Sequence, residues 1–111
     1  MEVIIMKKQP LKRPINEQAF PVYTKQTKEK LQALFFDENL SQGETLKAMR
    51  ELLGLTQIDF AKLLQISQTL VSLWEKEEKK PDCYMLLWLA ALYSIPAETL
   101  LLQFGYDVPI N

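Results

Sequence analysis

Four small polar residues, Ser41, Thr56, Ser67 and Asp82, each stand just ahead of a segment whose apolar residues return at intervals of three and four. A side chain of this kind accepts a hydrogen bond from the free N–H groups of a helix's first turn, so each one marks a helix start. No alternating apolar–polar run is longer than about four residues, and the chain is therefore expected to be all-α. Ser41-Gln42-Gly43-Glu44 has capping-box spacing; Leu46, Met49, Arg50 and Leu53 follow at helical intervals, and Gly54 suits a left-handed stop. Thr56 opens a helix over Gln57–Leu64, with Asp59 in its first turn and Phe60, Ala61 and Leu64 turned inward. Gln65-Ile66 makes a short turn, Ser67 caps a helix over Gln68–Glu75, and a charged loop, Lys76–Lys80, closes at Pro81. Asp82 caps a fourth helix through Tyr93, and a fifth runs from about Pro96 to Phe104 with Gly105 as its stop. Ahead of these five, Thr27 caps a short helix at about 28–37 that carries Leu31, Leu34 and Phe35 on one side.

At 111 residues and 12.9 kDa the chain has room for one compact core plus extensions. The expected division is an N-terminal extension over 1–40, a helical domain over 41–105 and a tail over 106–111. Histidine is absent and Cys83 is the single cysteine. Zinc sites of the Cys/His type, Ser-His-Asp and Cys-His nucleophile systems and an intrachain disulfide are thereby excluded. Glu75, Glu77, Glu78 and Asp82 cluster, but no nucleophile or base stands beside them, so they read as loop charges rather than a catalytic group. No enzyme activity, cofactor or metal is expected. The longest apolar stretches, such as Met85–Tyr93, fall far short of the roughly 20 residues that span a bilayer. Val3–Met6 is too short for a signal-peptide core, and a lysine pair follows it rather than precedes it. A soluble, cytoplasmic protein with no membrane partner is the expectation.

Charge is unevenly distributed. The formal net charge is −1, but residues 7–30 carry seven basic side chains against two acidic ones, whereas residues 44–104 carry six against eight. Pro10, Pro14 and Pro21 fall in the basic stretch, which should be an extended arm. It is either a solvated tail or a source of counter-charge that lies along a polyanion.

Two short helices, Gln57–Leu64 and Gln68–Glu75, joined by a turn of about three residues, have the layout of a helix-turn-helix, in which the second helix enters the major groove of DNA. The residues add to the spacing. Arg50, Thr56-Gln57, Phe60-Ala61, Ile66-Ser67, Val71, Trp74-Glu75 and Pro81 together resemble the lambda-repressor-like (XRE-type) helix-turn-helix family over roughly residues 44–104. The resemblance implies a five-helix DNA-binding domain, here preceded by the basic arm and one additional helix. It implies an ion pair between Arg50 and Glu75 that locks the fold, and base reading by Gln68, Thr69, Ser72 and Leu73. Gln can bond bidentately to adenine, hydroxyls serve either partner, and leucine can meet a thymine methyl; with no Arg or Lys there, a guanine-dominated site is disfavoured. Phosphate contacts fall to Gln57, Lys76, Lys79 and Lys80, with a merely solvated lysine loop as a close second reading. Val71 and Trp74 should point into the core.

Where the family often has glycine, this chain has Gln65 and Glu77. If both keep a positive φ, each costs on the order of 1 kcal/mol. The fourth helix is apolar nearly all round. Leu86, Leu89, Ala90 and Tyr93 suffice for one inward face, leaving Tyr84, Leu87, Trp88 and Ala91 as a surface for a partner, for the short first helix or for the arm. Val3–Met6 and the tail Tyr106–Ile110 either join such an interface or cap the core. The function implied is that of a sequence-specific regulator, a repressor acting as a homodimer on a palindromic operator in double-stranded DNA. Two other readings remain open: an antitoxin that binds DNA and a toxin protein, and a helix-turn-helix used for protein contacts only.

Overall fold

A computed structural model describes residues 24–108, and among these it contains six helices and no strand. They are α1 (Lys25–Phe35), α2 (Gln42–Leu52), α3 (Gln57–Leu64), α4 (Gln68–Glu75), α5 (Cys83–Tyr93) and α6 (Ala97–Gln103). The expectations placed on the arm up to residue 23, on Val3–Met6 and on the tail beyond residue 108 lie outside the described residues.

The polar residues that announce helices do cap them. The Ser41 hydroxyl accepts from the Glu44 N–H at 3.2 Å while the Glu44 carboxylate accepts from the Ser41 N–H at 2.9 Å, a reciprocal box at the start of α2. Thr56, Ser67 and Asp82 accept from the N–H groups of Asp59, Leu70 and Met85 at 3.1, 3.1 and 2.8 Å. At the other end of α2, Gly54 (φ 71°) donates to the Glu51 carbonyl and Leu55 donates to the Arg50 carbonyl, which satisfies the last turn and stops the helix. Gly105 (φ 84°) ends α6 in the same way.

The first helix departs from expectation. Its N-cap is Thr24, which accepts from the Thr27 N–H at 3.2 Å, so α1 begins at Lys25 rather than at about 28. The earlier start adds a hydrogen-bonded turn, Lys28 N–H to the Thr24 carbonyl, that a start at Thr27 would forgo. Lys25, Lys28 and Lys30 accordingly sit on a helix and not on an extended arm.

The core gathers Leu31 of α1, Leu46 and Met49 of α2, Phe60 and Leu64 of α3, Val71 and Trp74 of α4, Leu86, Leu89, Leu92 and Tyr93 of α5, and Leu100 of α6. Burying each such side chain contributes about 1.5–3 kcal/mol. The Tyr93 hydroxyl donates to the Met49 carbonyl at 2.6 Å and ties α5 to α2.

Helix α5 is the central element, and it corrects one assignment. Trp88, expected on the outward face, is buried at 8% exposure. It stands three residues from Met85 and four from Leu92, both buried, so it belongs to their flank. At 100° per residue the inward arc spans about 200° rather than a single face. What stays outside is a strip of Leu87 and Ala91, both exposed, with the half-buried Tyr84 beside them.

Candidate nucleic-acid interface

The turn between α3 and α4 is three residues, Gln65 to Ser67. Gln65 takes a left-handed conformation (φ 58°), so the Ile66 N–H can reach back to the Ala61 carbonyl at 2.9 Å. Ser67 then caps α4 at once. This reversal packs α3 against α4, and Val71 and Trp74 fix α4 to the core from its inner side.

The opposite side of α4 is an uncharged ridge. Gln68 and Thr69 are exposed, and Ser72 and Leu73 are half-buried. Its anchor is the far end of the same helix. Arg50 Nε donates to Glu75 Oε2 at 2.7 Å and Nη2 donates to Oε1 at 3.1 Å, while Nη1 donates to the Leu55 carbonyl at 2.8 Å. The two side chains are 9% and 6% exposed. The hydrogen bonds to Glu75 raise the Arg50 pKa further above its ordinary value, against an opposing effect of burial. A pair this buried costs about 3–5 kcal/mol to break from one side.

Sequence reasoning did not find how that pair connects to the ridge. A carboxylate only accepts, so Gln57 turns Nε2 towards Glu75 Oε1 at 3.0 Å. Gln57 Oε1 is thereby left to accept from Gln68 Nε2 at 2.8 Å. The chain Arg50–Glu75–Gln57–Gln68 therefore settles which way each amide faces. Gln68 keeps one N–H and its carbonyl oxygen for an outside group, the donor–acceptor set that matches adenine N7 and N6. The bond between Gln57 and Gln68 also brings the N-termini of α3 and α4 together, two positive helix ends without a basic side chain. The signal available in the sequence was a glutamine at the first position of both helices.

The other expected residues divide. Lys76 and Lys79 are exposed in the loop after α4. Lys80 instead places Nζ 4.0 Å from the centre of the Tyr106 ring, and the Tyr106 hydroxyl donates to the Pro81 carbonyl at 2.9 Å, which holds the C-terminal strap on the loop. Burial is the largest influence on the Tyr106 phenol and pushes its pKa up, with Cys83 and Asp82 adding to the shift. Glu77 keeps a left-handed backbone (φ 62°) without glycine. Its carboxylate is not a free loop charge, because it accepts from the Gly43 N–H at the start of α2 at 3.1 Å. Gly43 has to be glycine there: a Cβ would press into the Glu75 carbonyl oxygen and lie 2.7 Å from Glu77 Cγ.

Residues 46–100 match the model of the helix-turn-helix family, which spans α2 to α6. No curated protein and no solved structure matches the chain. Among the described residues no helix is long and apolar enough to cross a membrane.

Proposed function

We propose that this chain, whose residues 46–100 make it a member of the lambda-repressor-like helix-turn-helix family of DNA-binding regulators, is a sequence-specific repressor that binds double-stranded DNA as a homodimer. The observation that carries the reading is the fixed amide of Gln68, aimed by Gln57 and Glu75 at the head of an exposed, uncharged ridge. Gln68 and Thr69 read base edges, Ser72 and Leu73 follow along the groove, and a thymine methyl suits Leu73. The paired N-termini of α3 and α4, with Lys76 and Lys79, hold phosphates on either side. Lys80 contributes less, being engaged with Tyr106. The outward strip of α5, Tyr84, Leu87 and Ala91, is the surface on which two copies meet. Two readers about 34 Å apart then engage successive turns of the major groove. Selection from a random duplex library tests the whole reading. The expected product is a palindromic site containing A·T pairs, bound by two chains. Failure to enrich any sequence at low salt would overturn it and leave a module used for protein contacts.

A further inference from the structure

The loop that leaves the reading helix is tied down at both ends. On the α4 side, the Leu73 carbonyl accepts from the N–H groups of Glu78 and Lys79 at 2.9 and 3.3 Å. On the α5 side, Pro81 is buried and its carbonyl accepts from the Tyr106 hydroxyl at 2.9 Å. Lys80 Nζ lies 4.0 Å from the centre of the same ring. Lys80 also precedes a proline, which restricts its backbone to extended conformations. Lys79 stands between the two anchors, its own N–H held on one side and its successor held on the other. The strap that supplies the second anchor is itself fixed. Phe104 is buried, Gly105 (φ 84°) donates to the Leu102 carbonyl, and the Tyr106 N–H donates to the Leu101 carbonyl at 2.9 Å. Tyr106 lies beyond residues 46–100, so this anchor is no part of the pattern that matches the family.

We propose that Tyr106 is a positioning residue for duplex binding: its ring holds Lys80 and thereby sets the backbone of Lys79 at the end of the reading ridge, where the Lys79 ammonium meets a phosphate. The inference rests on the reading of this chain as a DNA-binding regulator. A loop lysine that moves freely in solution has to be ordered when it meets a phosphate, and that cost falls when its backbone is already fixed. An aromatic ring suits the purpose better than a carboxylate would. It holds the Lys80 ammonium through the negative face of its π-system and adds no ionised group to the phosphate track.

Salt-dependent binding of the full chain to a mixed-sequence duplex tests the assignment. Lys79→Ala is expected to lower the slope of log K against log salt by about 0.9, the contribution of one phosphate. Tyr106→Leu keeps every charge, yet is expected to lower the slope as much and to weaken binding by roughly threefold to tenfold. Tyr106 is half-buried beyond the last helix, and the helical circular dichroism should survive its replacement. The double variant should bind no more weakly than Lys79→Ala alone, because both changes remove the same contact. Tyr106→Phe keeps the ring and loses only the bond to Pro81, so most of the slope should remain. A merely structural role for Tyr106 would lower the melting temperature and leave the slope untouched. An unchanged slope in Tyr106→Leu, additive losses in the double variant, or equal losses in Tyr106→Phe and Tyr106→Leu would each overturn the proposal and leave the DNA-binding reading in place. A parent chain that binds no duplex at low salt overturns both together.

Discussion

Replacing Glu77 by glycine sets two effects of similar size against each other. At φ 62° the residue occupies a conformation that costs a side chain about 1–2 kcal/mol. Glycine removes that strain but is freer in the unfolded chain by about 0.5–1 kcal/mol, so relief alone would stabilise by about 0.5–1 kcal/mol. The lost carboxylate works the other way. It accepts the Gly43 N–H at 3.1 Å at the head of α2, and losing a capping bond of this kind costs about 0.5–2 kcal/mol. Removing the anion from the positive helix end adds about 0.3–1 kcal/mol. Taken at the middle of these ranges the loss exceeds the gain, so Glu77→Gly is expected to destabilise the fold by about 1 kcal/mol. Ser94 supplies the control, since its φ is 54° and it holds no other helix end. Ser94→Gly keeps the relief without the loss and should stabilise by about 0.5–1 kcal/mol. Urea denaturation of both variants and the parent, with unchanged slopes, measures the two shifts. Should Glu77→Gly stabilise as much as Ser94→Gly, the contact with Gly43 would contribute nothing and the reasoning would fail.

Arg50→Met leaves Glu75 buried without its partner and should cost about 3–5 kcal/mol, read as an early denaturation midpoint. Thr45 is fully buried and its hydroxyl finds no partner among the described residues, so Thr45→Val should stabilise by about 1 kcal/mol in the same assay. Gln57→Ala frees the amide of Gln68 to rotate; selectivity at one base position should relax by about 1–3 kcal/mol in competition binding, with the fold retained. Unaltered selectivity would show that Gln57 does not orient its neighbour.

Local chemistry was legible in the sequence wherever a residue acts on backbone within four positions of itself. Ser41, Thr56, Ser67 and Asp82 cap, and Gly54 and Gly105 stop, because those geometries are set by the immediate chain. Thr24 and Thr27 carry the same signal three residues apart, and only the extra turn decides between them. Contacts across the fold were less visible. Glu77 reaches Gly43 across 34 positions, and Gln57 reaches Glu75 across 18, with nothing local to announce either. Trp88 was misplaced because the pattern of a helix shows which face is most apolar but not how wide an arc its neighbours cover.

Residues 44–104 carry six basic side chains against eight acidic ones, a balance that argues against binding a polyanion until the placement of those acids is considered. Glu44, Asp59 and Glu98 lie in the first turns of α2, α3 and α6. Asp82 caps α5, Glu77 faces the start of α2, and Glu75 is held by Arg50. Each of these six is paired with a positive helix end or a guanidinium within the fold, so its field at the surface is largely offset close by. Glu51 and Glu78 remain, against Lys47, Lys62, Lys76 and Lys79. A formal charge of −2 for this segment therefore says little about the potential at the ridge, which carries no ionised group of its own. Close to the ridge the charges are two positive helix ends, the exposed Lys76 and Lys79, and Glu78 in the same loop, which leaves basic groups in excess there.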